Sequence, residues 1–181
     1  MAIKSTIFKV QLNIADMDRH YYADHNLTIA RHPSETDLRM MVRLVAFALN
    51  ADEQLSFTKG ISTDDEPDLW NKSLSDEIVT WIDLGQPDEK RIRQACGKSQ
   101  RVKIYTYQER PASVWRGEIE GNLSRFNNLD IIDLSGGDLD ALSNLAERNL
   151  QLSAMISDGE LTFTSDAGNV TLLPNHWFPA H

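Results

Sequence analysis

From Glu77 to Tyr107 the chain runs strand, turn, helix, strand, and this order restricts the possible folds more than any other feature. Ile78-Val79-Thr80-Trp81-Ile82 is the β-branched and aromatic run of a strand, and it ends in Asp83. Gly85-Gln86-Pro87 turns the chain. Pro87 suits the first turn of a helix, where its missing N–H costs nothing, and Gly97 suits a left-handed helix end. Between them Ile92, Ala95 and Cys96 share an inward side, and a second strand over 101–107 follows. A strand, a helix and a strand joined so closely form a parallel pair with a right-handed crossover. All-α and all-β architectures are excluded, and the fold class is α/β (α+β).

The flanking segments fit a mixed sheet with helices. Residues 3–14 alternate at Phe8, Val10, Leu12 and Ile14, and Leu27 with Ile29 resumes the pattern after a polar stretch, which predicts two paired strands with a long connection. Pro33-Ser34-Glu35-Thr36-Asp37 reads as a helix start capped by Ser34, and the helix runs to Asn50 with Arg39 and Arg43 left for water. Leu55–Lys59 is a short strand, and the acidic Asp64–Asp68 segment leads through a turn or short helix to Leu69 and Trp70. Helices over 111–119 and 138–148 bracket a strand over 129–134. The end is an antiparallel meander whose first turn is Asp158-Gly159, a two-residue hairpin signal. Trp177 and Phe178 read as a strap closing the sheet.

At 181 residues one domain spanning 1–181 is expected. No apolar run approaches a bilayer span, and the first twenty residues lack the continuous apolar core of a secretory signal, so the expected compartment is the cytoplasm, with no membrane partner. The one cysteine, Cys96, forms no internal disulfide. The formal charge of -9 argues against general coating of a polyanion, yet 90–103 holds six Lys or Arg and no acid, leaving -15 for the rest. Such segregation focuses anions on one face; a solvated basic helix face is the plain alternative.

Two acids are candidates for chemistry. Asp83 stands where its strand gives way to a loop, the place where open α/β sheets put ligands, and Asp68 is the second acid, with Glu35 or Asp37 as outer members. Mg²⁺ takes one or two carboxylates and fills its octahedron with water and phosphate oxygens, an arrangement suited to phosphodiester hydrolysis. In the alternative reading Asp68 and Asp83 cap turns, Glu35 and Asp37 only complement a helix dipole, and Lys90, Arg91 and Arg93 are a wet helix face. The five histidines show no tight ligand spacing, and the chain has no Walker loop, dinucleotide fingerprint or nucleophile elbow.

Arg31-His32-Pro33-Ser34-Glu35-Thr36, Asp64-Asp65-Glu66-Pro67 and the stretch from Trp81 to Ile92 resemble the bacterial YaeQ family, over nearly the whole length. The resemblance implies a variant of the PD-(D/E)XK nuclease-like fold: a restriction-endonuclease-like core of sheet and helices with two acids and a Lys at one edge. Pro67-Asp68 would match the PD element and Asp83 the second acid. The Lys of that motif is replaced by Gly85, and Lys90 on the following helix is the substitute candidate. The implied assignment is Asp68 and Asp83 on Mg²⁺ with Glu35 as outer ligand, Lys90 aiding the attacking water, and Arg91, Arg93 and Lys98 steering a nucleic-acid backbone. A link to transcription elongation has been suggested for the family, and a non-catalytic regulatory or binding protein that kept the fold is the rival expectation.

Overall fold

The structure is a computed structural model and describes residues 4–58 and 65–179. Residue 3 of the first expected strand, Lys59, Asp64 and, of the five histidines, His181 lie outside the described residues. In chain order the elements are β1 (Thr6–Asp16), β2 (Tyr21–Arg31), α1 (Asp37–Asn50), β3 (Leu55–Phe57), β4 (Leu69–Lys72), β5 (Ile78–Leu84), α2 (Glu89–Lys98) and β6 (Ser99–Thr106). There follow α3 (Glu109–Ile119), β7 (Leu129–Asp133), α4 (Leu139–Ser143), β8 (Asn149–Ser157), β9 (Glu160–Ser165), β10 (Gly168–Leu172) and β11 (Asn175–Phe178). The class is mixed α+β. Where the sequence suggests one sheet, the described strands form two, ordered β10-β9-β8-β1-β2 and β11-β7-β6-β5-β4-β3. The chain divides into two compact units, Met1–Leu49 with Gly137–Pro174, and Asn50–Gly136 with Asn175–His181.

In the first unit β1 pairs antiparallel with β2 and parallel with β8, setting Leu12 opposite Leu152. Phe8, Val10, Leu12 and Ile14 of β1 and Leu150, Leu152, Ala154 and Ile156 of β8 are buried. One face of each strand is therefore a core face, and the closing meander of β8, β9 and β10 extends the β1–β2 sheet. The long β1–β2 connection expected from the polar stretch is a short turn over 17–20, with His20 at φ 57°. The polar residues lie in β2, an edge strand with its alternate positions in water. Asp158 and Gly159 take φ 53° and 78°, the two left-handed positions a primed hairpin turn demands.

Helix α1 starts at Asp37, later than the Ser34 cap would place it. Thr36 Oγ1 accepts the Arg39 N–H at 3.1 Å, while Ser34 Oγ is held by His32 Nδ1 at 2.7 Å. Every residue from Met40 to Ala48 is buried. That includes Arg43, expected in water: its guanidinium donates to Glu35 Oε1 at 2.6 Å and to the Ala30 carbonyl at 3.2 Å. The helix is apolar nearly all round because it is enclosed, and its one buried charge is paired.

In the second unit β3, β4 and β5 form an antiparallel meander, and β5, β6 and β7 run parallel, joined through α2 and α3. The expected parallel pair joined by a helix is present. Strand β4 occupies Leu69 and Trp70, read from sequence as turn or short helix; four residues are too few to show a period. Helix α2 begins one residue beyond Asp88, whose carboxylate accepts the Arg91 N–H, so Pro87 precedes the helix. Gly97 lies inside α2, which passes straight into β6 with the Ser99 N–H donating to the Ala95 carbonyl. The core is a cluster of Trp81, Ile92, Ala95, Val102, Ile104 and Trp115 with their neighbours, against which Trp177 and Phe178 of β11 pack. The Arg116 guanidinium sits 4.7 Å from the Trp177 ring centre. Cys96 is half-buried beside this core, and burial pushes its thiol up to about 11, leaving it inert filler at neutral pH. Helix α4 is shorter than expected, with Asp138 as its cap. No helix among the described residues is long and apolar enough to cross a membrane.

Candidate functional site

Strand β5 presents Trp81 and Asp83 on the face where their partners on β6 are Val102 and Ile104, which is the core face covered by α2. Across β4 the register sets Leu69 opposite Ile82, so one step back brings Asp68 opposite Asp83. Residues so placed on one face have Cβ atoms about 5 Å apart. Two acids fifteen positions apart thus meet at the end of β5. Both are buried, at 5 % and 4 % exposure. Asp68 Oδ2 accepts the Leu84 N–H at 2.9 Å.

What faces them from α2 is Arg91. Its Nε donates to Asp83 Oδ2 at 2.9 Å and its Nη2 to Asp83 Oδ1 at 3.0 Å, a two-pronged pair, and Nη2 also reaches the Glu66 carbonyl at 2.9 Å. The same guanidinium lies 5.6 Å from the Trp81 ring centre. Burial raises the Asp83 carboxyl above its ordinary 3.8; the Arg91 bonds and charge pull it back, and Asp68 beside it pushes it up again. The Trp81 indole N–H is near enough to favour the carboxylate but makes no hydrogen bond of good geometry.

Lys90 is exposed, with no hydrogen bond or ion pair among the described residues. Helix phase explains the difference. Arg91 is four residues before buried Ala95 and next to buried Ile92, whereas Lys90 is four before exposed Gln94. That spacing is the signal by which the sequence could have named Arg91 as the residue of α2 that meets Asp83. The other basic residues of 90–103 scatter. Arg93 and Lys98 are exposed, Arg101 lies 3.4 Å from Asp130, and Lys103, opposite Ile82 and so on the other face of the sheet, donates to Asn50 Oδ1 at 2.7 Å.

Glu35 belongs to the first unit, where Arg43 takes Oε1 at 2.6 Å and Arg39 takes Oε2 at 2.8 Å. Asp37 is paired with Arg31. A third carboxylate that sequence reasoning missed, Asp133 at the end of β7, is held by the hydroxyls of Thr106 at 2.7 Å and Ser135 at 2.6 Å. Among the described residues no group of three or more His, Cys, Asp or Glu is placed to hold a metal ion. Mg²⁺ at Asp83 would compete with a guanidinium for the same two oxygens, so the residues as arranged do not fit it.

Gly85, where the resemblance leads one to expect a Lys, has φ +93°, and its N–H donates to the Tyr105 carbonyl at 2.9 Å. A side chain there would meet nothing within 4 Å, so the constraint is the backbone alone. Gly85→Ala should cost about 1 kcal/mol through left-handed strain, read from the midpoint of chemical denaturation. The turn that carries the chain from β5 to α2 therefore calls for a glycine at this position.

Comparison with known proteins places this architecture. The family model described as "YaeQ protein" matches residues 1–174. Proteins from Salmonella typhi and Escherichia coli K12, each bearing the name "Uncharacterized protein YaeQ", are 41% identical over 177 residues, covering 98% of this chain and 98% of theirs. The crystal structure of YaeQ protein from Xanthomonas axonopodis pv. citri superposes with a TM-score of 0.91 at 44% identity, over 96% of this chain and 98% of that one. The Pseudomonas syringae YaeQ structure gives 0.89 at 37% identity, over 97% of each chain.

Proposed function

We propose that the chain, which belongs to the YaeQ family, is a non-catalytic binding protein on a nuclease-like scaffold, recognising a nucleic-acid backbone through the outer face of α2. The observation that carries this reading is the Arg91 fork on Asp83. A guanidinium bound to both oxygens of the acid serves as a brace between α2 and the sheet edge, and Lys90, the α2 ammonium beside it in sequence, points to solvent. Lys90, Arg93 and Lys98 remain in solvent on the same helix, and ammonium and guanidinium groups so placed bind phosphates by releasing counterions. The core that supports the reading is the sheet with α2 and α3 on one face and the two acids at its edge.

A second reading is favoured by one observation, the register that sets Asp68 opposite Asp83. It makes the protein a Mg²⁺-dependent phosphodiester hydrolase using Asp68, Asp83 and Lys90, and it requires Arg91 to leave Asp83 and Lys90 to turn inward.

The test is binding of fluorescent single-stranded and duplex DNA and RNA across a salt series, with the triple variant Lys90→Ala, Arg93→Ala, Lys98→Ala alongside. The expected result is salt-dependent binding whose log-log slope falls by about two to three in the variant, at unchanged thermal stability. Equal binding by both proteins, or no binding to any of the four, would overturn the proposal.

A further inference from the structure

The face of the first unit's sheet that points away from its core has an unusual composition. Across β2, β1 and β8 one row of outward residues reads Asn26, Gln11, Gln151, and the next, continuing to β9, reads Asp24, Asn13, Ser153, Thr164. These rows line a depression of about 650 Å³ to which no lysine, arginine or glutamate contributes. A second depression of about 370 Å³ shares Gln11, Gln151 and Asp166 with the first, so the two form one elongated trough, to whose lining the second adds Lys9 and Glu147.

The chemistry of the lining selects a ligand. Leu12 and Leu152 reach it only from the backbone, since their side chains are turned to the core at 1 % and 2 % exposure, so no aliphatic side chain is offered to an apolar ligand. The main chain of β1, β8 and β9 is paired on both sides, so an extended peptide has no strand edge to join there. Among the charged residues of the lining Asp24, Asp166 and Glu147 outnumber Lys9, so the trough disfavours phosphates and carboxylates. What remains is a field of groups that both donate and accept hydrogen bonds. Part of it is already organised: Asn13 Nδ2 donates to Asp24 Oδ1 at 2.7 Å and Gln151 Nε2 to Gln11 Oε1 at 3.4 Å. Four strands at the usual spacing span roughly 14 Å, the reach of a short oligomer.

We infer that this trough is a binding site for a neutral oligosaccharide, whose adjacent hydroxyls match planar amide and carboxylate groups carried at fixed intervals by the pleat. The inference is independent of the α2 reading, because it uses no residue of the second unit.

The test is titration of the ¹⁵N-labelled full chain with maltohexaose, cellohexaose and chitohexaose, following the side-chain NH₂ signals of Gln11, Asn13, Asn26 and Gln151. Spermidine and a short oligonucleotide serve as comparators. The expected result is saturable shifts of those signals with at least one hexasaccharide, and at least tenfold weaker binding in Asn13→Leu/Gln151→Leu. These positions are exposed, so the variant should keep its melting temperature; if it does not fold, Gln151→Lys should give the same weakening. No shift with any hexasaccharide, shifts with spermidine or the oligonucleotide alone, or undiminished binding in the folded variant would overturn the site.

Discussion

Glu35→Ala should lower the unfolding free energy by about 3 kcal/mol, because it strands a buried guanidinium. The side chains of Glu35 and Arg43 are 3 % and 5 % exposed, and Arg43 would keep only the Ala30 carbonyl as acceptor among the bonds described above. The same arithmetic gives a rescue. Replacing both charges, Glu35→Ala with Arg43→Met, removes the guanidinium along with its Glu35 partner and should recover most of the loss, since an apolar pair of similar volume is often as stable as a buried ion pair. Urea denaturation with an unchanged slope is the measurement. Were Glu35 instead a metal ligand, the single variant would lose little, and Mg²⁺ would raise the wild-type midpoint.

Arg91→Ala should cost about 2–3 kcal/mol at pH 7, somewhat less because the arginine side chain is 26% exposed. The sign of its pH dependence follows from Asp83. The folded state already holds that carboxyl's proton more tightly than the unfolded chain, where 3.8 is ordinary, chiefly through burial. The stability associated with this proton is therefore complete below 3.8 and is lost as pH rises through the folded value. Removing Arg91 takes away the hydrogen bonds and charge that oppose burial, so the folded value climbs and the loss extends over more of the acid range. The difference between wild type and variant should thus be small near pH 3.5 and largest at neutral pH. A difference equal at both pH values would show that Arg91 acts by packing over Trp81 and not by holding the Asp83 charge.

These two ion pairs also mark the limit of what the residues reveal before folding. The crossover from Ile78 to Thr106 is legible because β-branched runs, a proline and an inward stripe follow one another within thirty residues. The pairing of β1 with β8 is not legible: Leu12 and Leu152 are 140 positions apart, and alternation shows which face is inward but not which strand lies beside it. Arg43 was assigned to water because a charge breaks an apolar stripe, and the Glu35 that neutralises it sits two turns away along the chain. The acidic pair was half legible. Asp68 and Asp83 are recognisable as candidates, and the β4–β5 register does set them opposite each other. The arginine on Asp83 is hidden among six basic residues that a charge count treats alike, although helix phase separates Arg91 from Lys90. The polar outer face of β1, β2 and β8 is not legible in the sequence, because its rows exist only once three strands are in register.

The central claim is that Arg91 occupies the place a catalytic cation would need. Its most direct test is Mn²⁺ binding, followed by electron paramagnetic resonance, to wild type, Arg91→Ala and Arg91→Ala/Asp83→Asn, with cleavage of single-stranded and duplex nucleic acid assayed in the same samples. The account predicts no specific Mn²⁺ and no cleavage in the wild type, and, where Arg91→Ala takes up the ion, its loss again in the double variant. Stoichiometric Mn²⁺ bound by the wild type, with cleavage that disappears in Asp83→Asn, would contradict it.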